Sequence, residues 1–389
     1  MKRILFLISI MLLSSQAFSQ SLVELFDLIE QNNASLKVYS AKCNAEKLDA
    51  YTGITLADPE VEFGYLWGTP GEIGNRKDFS ITQSFDLATL LGARRKEANS
   101  KAELAEIEYE QAKNLVFFSA QQTVIEITYL NKKAAELQKR LDTAKQLEEY
   151  YRKLLNNGEV NKIEVGRAQL ARVSAEAELK SVQVERNSLV SKLDALCRNA
   201  QENDAVPAAL LNKFVDSELY PSDYFEGDLT LSVHKQEANL ASQQIESAKK
   251  EGLPEIKAGY MSELTVGEKF RGLTVGVSIP LWKNRNNVSR AKAQYVLAMS
   301  SAAEVNSQLN AQRKELTEKQ ESLQELINFI QSSLQSLNAT PLLLKALNAG
   351  EMSLVDFVND RANYYELTDK LLDAEKDYEI AKAELAFLP

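Results

Sequence analysis

The chain carries nearly the same passage twice, and a long duplication restricts the fold to one structural unit used two times. Asp58-Pro59-Glu60-Val61-Glu62-Phe63-Gly64-Tyr65 returns as Leu253-Pro254-Glu255-Ile256-Lys257-Ala258-Gly259-Tyr260, 195 residues further on (Pro59 to Pro254). Asn157-Gly158-Glu159-Val160 returns as Ala349-Gly350-Glu351-Met352, displaced by 192 residues (Gly158 to Gly350). Order and spacing are kept, so each copy holds the same parts in the same sequence.

The first part is a pair of strands. Val61, Phe63, Tyr65 and Trp67 alternate with Glu60, Glu62 and Gly64; after a loop opened by Gly68-Thr69-Pro70-Gly71, Phe79, Ile81, Phe85 and Leu87 alternate with Ser80, Thr82, Ser84 and Asp86. Gln83 alone breaks the apolar series. In the second copy Ile256, Ala258 and Tyr260 oppose Glu255, Lys257 and Gly259, and Leu273, Val275, Val277, Ile279 and Leu281 oppose Thr274, Gly276, Ser278 and Pro280. Period-two patterning of this kind predicts strands with one apolar and one polar face. They are expected over about 59–67, 78–87, 254–261 and 272–282, with a polar loop from Ser262 to Gly272.

The second part is a long helical hairpin. Between about 89 and 155 there is no proline, glycine occurs only at Gly92, and Ala, Glu, Leu, Lys and Gln dominate, all good helix formers. Leu130, Ala134, Leu137, Leu141 and Ala144 step by four and three, a coiled-coil seam; Ala175, Leu179, Val182, Leu189, Leu193 and Leu196 continue such a grid on the return helix, interrupted by Arg186. The second hairpin runs from about 286 to 387, turns at Gly350, and is broken near Pro341. Tyr364, Leu367, Leu371, Ala374, Tyr378, Ala381 and Leu385 mark its returning seam. Helices this long must lie side by side in a bundle or tube. Shorter helices are expected over 21–32 and 34–54.

The N-terminus pairs Lys2 and Arg3 with an apolar run from Ile4 to Leu13 and small residues at Ala17 and Ser19. This is the pattern of a cleavable export signal over 1–19. The domain organisation expected is therefore signal peptide 1–19, first repeat 20–198, linker 199–228 and second repeat 229–389. No later run of 18 apolar residues exists, so a membrane could be crossed only by a closed β-barrel. Formal net charge is −10 with no gathered basic stripe, which argues against nucleic acid. Two cysteines, Cys43 and Cys197, could pair with each other but form no disulfide framework.

Four strands do not close a barrel. Either the sheet packs its apolar face on the helices as a soluble layer, or several copies pool their strands in lipid; three copies give twelve. The export signal and the helix lengths favour pooling.

Asn348-Ala349-Gly350-Glu351-Met352-Ser353-Leu354-Val355-Asp356-Phe357-Val358 resembles the signature at the second hairpin turn of the TolC-like outer-membrane efflux proteins. Asn156-Asn157-Gly158-Glu159-Val160-Asn161-Lys162-Ile163-Glu164-Val165 is its weaker copy in the first. The likeness extends over essentially the whole mature chain. It implies a mainly α fold with a small β part: a homotrimer with a twelve-stranded transmembrane β-barrel in the outer membrane, continued by a periplasmic α-helical tunnel. It also implies a periplasmic adaptor and an inner-membrane pump as partners. Under this resemblance Gly158, Glu159, Gly350 and Glu351 sit at the adaptor-contacting tips. Asp356 matches an acidic position lining the pore entrance, Asn359 stands where relatives often place a second acid, and Glu164 matches a position in the contacts that close the entrance. Asp356→Asn is then expected to lower cation preference. Tyr65, Trp67, Tyr260 and Trp282 are candidates for the aromatic girdle where lipid meets water, with Glu60, Glu62 and Lys257 facing the lumen.

Catalysis finds little support. The one histidine, His234, lies in a predicted helix, and Glu148–Glu149 reads as surface charge flanking a heptad. No phosphate loop, nucleophile elbow or metal-spaced cluster occurs, so no cofactor or metal is expected. The function expected is the outer-membrane channel of a tripartite efflux system. A channel for type I protein secretion, or an exported coiled-coil protein without a pore, is the alternative.

Overall fold

The structure is a computed structural model that describes residues 22–69, 73–198, 228–282, 284–336 and 340–388. The expected export signal and nearly all of the expected linker lie outside these residues. The elements run α1 (22–32), α2 (Ala34–Tyr51), β1 (Glu60–Leu66), β2 (Arg76–Phe85), α3 (Leu87–Leu90), α4 (Ala93–Asn156) and α5 (Lys162–Cys197). Then follow α6 (Leu229–Lys250), β3 (Glu255–Leu264), β4 (Lys269–Ser278), α7 (Asn287–Ser336), α8 (Thr340–Asn348) and α9 (Leu354–Phe387). The 64 residues of α4 extend about 96 Å at 1.5 Å per residue.

The chain divides into two compact units: Met1–Lys37 with Lys113–Gly227 and Leu309–Pro389, and Val38–Ala112 with Asp228–Gln308. The first is helical. Near its N-terminal helix, Leu22, Leu25, Phe26 and Ile29 pack on Phe117, Ala120, Val124, Ile127, Leu193 and Cys197, with Phe26 and Phe117 stacked at 4.6 Å. Asn33, between α1 and α2, accepts from the Leu36 amide and donates to the Leu196 carbonyl. The predicted seam is a buried core: Leu130, Leu137 and Leu141 of α4 meet Leu179 and Val182 of α5, with Ala134, Ala175 and Leu189 alongside. Arg186, the interruption in that grid, donates to Asn131 of α4, so the polar residue is satisfied across the seam. α7 ends at Ser336 and α8 begins at Thr340 with Pro341 as its second residue, where proline costs no hydrogen bond.

The second unit holds a four-stranded antiparallel sheet in the order β1-β2-β3-β4. The two repeats meet in it, because β2 of the first copy pairs with β3 of the second. Several strand limits differ from expectation, and β4 stops at Ser278 instead of reaching 282, because Pro280 lacks the amide a ladder needs. β3 continues to Leu264 and β4 starts at Lys269, leaving a tight turn in which Thr265 and Glu268 exchange backbone hydrogen bonds and Gly267 takes φ 85°. Polar Ser262, Glu263, Lys269 and Arg271 break the apolar alternation there, yet the hydrogen-bond ladder runs on through them. Leu87, expected to end the second strand, instead opens α3, which Asp86 caps through the amides of Ala88 and Thr89.

Both cysteines are free and buried. Burial, then the carboxylate of Asp194, pushes the Cys197 thiol up to about 12, so it stays protonated and unreactive.

Candidate functional site

Directly paired residues of an antiparallel sheet share a face, so the register sorts every strand side chain. One face carries Val61, Phe63 and Tyr65; Phe79, Ile81 and Phe85; Ile256, Ala258, Tyr260 and Leu264; and Leu273, Val275 and Val277. The other carries Glu60 and Glu62; Arg76, Asp78, Ser80, Thr82 and Ser84; Glu255, Lys257 and Glu263; and Thr274 and Ser278, with Leu66, Met261 and Phe270 as departures. Arg76 pairs on that polar face with Asp78 at 2.8 Å and Glu263 at 3.1 Å.

The apolar face is not covered. Val61, Phe63, Leu273, Val275 and Val277 are each 60% exposed or more, and even Phe79, Ile81, Ile256 and Tyr260 on the central strands are exposed. Ile279, Leu281 and Trp282, which follow β4, are exposed as well. A contiguous apolar patch of this extent marks a surface that meets lipid or another protein. Within the unit this face is not packed on the helices. β1 and β4 also have no strand on their outer edges among the described residues.

The candidate girdle residues separate along the strands. Trp67 follows β1 at the end of the sheet bearing the turns, and Trp282 follows β4 at the end joined to helices; both are nearly four-fifths exposed. Tyr65 lies at the turn end, its hydroxyl accepting from Asn75 at 2.7 Å and its ring 5.6 Å from Lys77 Nζ. Tyr260 does not fit the girdle. Its partners are Ile81 and Leu273, so it stands in the middle row, far from either rim.

The two helical turns are built alike. After α4, the amide of Glu159 donates to the Leu154 carbonyl and that of Gly158 to the Leu155 carbonyl; after α8, Glu351 donates to Ala346 and Gly350 to Leu347. These are paired Schellman caps, with Gly158 at φ 77° and Gly350 at φ 74°. The following helices start alike too. Asn161 caps α5, its side chain accepting from the Glu164 amide while Glu164 accepts from the Asn161 amide. Ser353 caps α9, accepting from the Asp356 amide and donating its hydroxyl proton to the Asp356 carboxylate at 2.6 Å. Val160 and Val165 flank the first cap, and Met352 and Phe357 the second, as hydrophobic staples. All four join Leu147, Tyr151, Ala168 and Leu347 in one cluster, which therefore gathers both turns.

Each acid singled out at the entrance thus has a local task. Glu164 and Asp356 occupy the same capping position in the two repeats. Gly158, Glu159, Gly350, Glu351, Asp356 and Asn359 are exposed, and Glu164 is half-buried. Nothing in this geometry assigns them a partner.

Sequence reading missed the buried polar links. Arg140 of α4 grips Asp369 of α9 with two hydrogen bonds, 2.6 and 2.9 Å, and stacks on Tyr365. Tyr129 donates to Asp373 at 2.5 Å; burial, then that carboxylate, raises its pKa. Glu148 is buried, not a surface charge as expected, because Arg152 and Arg172 reach it from two sides at 2.6 and 2.5 Å. Glu149 remains exposed. His234 is half-buried beside Glu237 at 2.8 Å. Among the described residues, no His, Cys, Asp and Glu group is arranged to hold a metal, and no helix is long and apolar enough to cross a membrane.

No family model and no curated protein matches the sequence. Solved structures do match the fold. The Campylobacter jejuni CmeC outer membrane channel superposes with TM-score 0.75 at 16% identity, covering 96% of this chain and 86% of its own. The outer membrane protein VceC of Vibrio cholerae gives 0.75 at 16%, covering 94% of each chain. A membrane protein from Pseudomonas aeruginosa gives 0.76 at 12%, covering 95% and 93%. The chain has the fold of these proteins, with long helical hairpins and a small antiparallel sheet.

Proposed function

We propose that the chain is one subunit of a homotrimeric outer-membrane channel serving a tripartite efflux system. The observation that carries this reading is the uncovered apolar sheet face, backed by a polar face and bounded by two open edges. An isolated four-stranded sheet in lipid leaves its edge amides and carbonyls unpaired, at several kcal/mol each. Pairing β4 of one copy with β1 of the next satisfies them and closes twelve strands, with Glu60, Glu62 and Lys257 turned to the lumen. The helices form the periplasmic conduit. The exposed turns at Gly158-Glu159 and Gly350-Glu351 dock on a periplasmic adaptor, which receives substrate from an inner-membrane pump. Three copies of Asp356 ring the entrance, and Asn359 leaves that ring with one acid per subunit.

The test is assembly and conduction together. Mature protein made in a Gram-negative host is expected in the outer-membrane fraction, to need detergent for extraction, to scatter light as a trimer and to conduct in planar bilayers. A monomer released with the soluble periplasmic contents overturns the channel and leaves the exported coiled-coil reading.

A further inference from the structure

The register exposes a charge pattern on the apolar face that the sequence conceals. Every charged residue on that face lies in the two rows nearest the turns, and every one is a cation. Lys77 shares its row with Tyr65, Leu264 and Lys269; Arg271 shares the next with Phe63, Phe79 and Ser262. The rows beyond hold Val61, Ile81, Tyr260 and Leu273, then Gln83, Ala258 and Val275, then Phe85, Ile256 and Val277.

Among the described residues no carboxylate shares the face. Asp78 and Glu263 point to the opposite side, where they neutralise Arg76; Glu268 belongs to the turn. Lys77, Lys269 and Arg271 are exposed and make no ion pair among the described residues. Strand spacing puts Lys77 and Lys269 about 10 Å apart and Arg271 about 7 Å from Lys269. This is a basic cluster on a chain whose net charge is −10.

A cation on a lipid-facing strand is costly at the bilayer centre and nearly cost-free at the interface. The cluster therefore belongs at headgroup level. Lys77 to Phe85 is eight residues, about 27 Å along a strand. At a tilt near 40° that covers about 20 Å of depth, and Ile279 and Leu281 follow β4 at the helix-joined end. The turns sit at the end away from the helices, so the cations reach the outer leaflet.

We infer that Lys77, Lys269 and Arg271 form a docking surface for the phosphate groups of the outer leaflet's glycolipid, with Tyr65 and Phe63 against its acyl chains. The inference rests on the membrane-channel reading above. Cations near a charged leaflet each contribute about 1 kcal/mol, so the three together raise affinity on the order of a hundredfold.

The experiment titrates detergent-purified protein with lipid A, phosphatidylglycerol or phosphatidylcholine and counts retained lipid by native mass spectrometry. Wild type is expected to prefer lipid A. The K77Q/K269Q/R271Q triple variant is expected to lose that preference, while K257Q, which removes a cation from the polar face, keeps it. Undiminished lipid A binding by the triple variant overturns the inference. So does equal retention of phosphatidylglycerol or phosphatidylcholine by wild type, or displacement of lipid A by millimolar inorganic phosphate. Conductance in phosphatidylcholine bilayers separates the two readings. Wild type and triple variant both conduct if the channel reading stands, and neither conducts if that reading fails.

Discussion

Gly350 and Gly158 show how a short signature can be a folding instruction. Both take a positive φ, and open space surrounds the position a Cβ would fill. The cost of Gly350→Ala is therefore backbone strain alone, about 1–2 kcal/mol. Denaturant unfolding of the helical signal is expected to show that loss, with Gly350→Asn milder because asparagine tolerates the left-handed region. The Gly-Glu-[Val/Met]-[Asn/Ser]-x-x-[Glu/Asp] pattern is legible because each of its parts acts within a few residues. Glu148 is the opposite case, since Arg172 approaches from another helix and no local pattern announces it. Burial pushes its carboxyl up, but hydrogen bonds from Arg172 and Arg152 outweigh burial and hold it below the ordinary glutamate range. The folded pKa is thus depressed. Its stabilisation is present above the unfolded pKa and is lost as pH falls through the folded one. Glu148→Gln is expected to melt below wild type at neutral pH, with the gap in Tm closing as the buffer drops through pH 4 and lower. A gap that stays constant with pH assigns Glu148 a packing role only.

Among the elements, alternation located all four strands but overran two of them, at Leu87 and at Ile279 and Leu281, and fell short where Ser262, Lys269 and Arg271 stand on the apolar face. Lys269 and Arg271 read as loop residues because a period-two rule expects apolar side chains there. The backbone ladder is indifferent to that choice. The β2–β3 pairing joins Ile81 to Tyr260 and leaves no trace at either position in the sequence. With the Tyr260–Leu273 pairing it moves Tyr260 from a rim to the middle row. The strand faces also make a sharp comparison possible. Val275 is 78% exposed, so in water Val275→Lys would cost little. In a bilayer the same change puts an ammonium near mid-depth at roughly 2–4 kcal/mol per subunit. Thr274→Lys, one residue away on the polar face, avoids lipid. The expected outcome is that Val275→Lys depletes trimer from the outer-membrane fraction while Thr274→Lys leaves it near wild type. Equal tolerance of both would show that the apolar face never meets lipid.

For the whole molecule, the chain supplies its own depth gauge, because it has two tryptophans and they stand beyond opposite ends of the sheet. Trp67 follows β1 at the turns, and Trp282 follows β4 before α7. Indole rings favour the headgroup region, where an apolar body and a polar N–H are both accommodated. If the pooled strands span a bilayer, each ring sits at one interface and neither lies at its centre. Trp67→Phe and Trp282→Phe variants leave one emitter each for reconstitution into vesicles with lipids brominated at different depths. Both are expected to be quenched most by bromines near the glycerol and least by those near the chain ends. Iodide added outside the vesicles should reach only one of the two in a population inserted in a single orientation. Strong quenching of either residue from mid-bilayer would shift the strands along the membrane normal. It would carry the Lys77, Lys269 and Arg271 rim away from the headgroups, because Trp67 and Trp282 follow strands of the sheet that holds those three. Emission unchanged by any brominated lipid would remove the sheet from the membrane altogether.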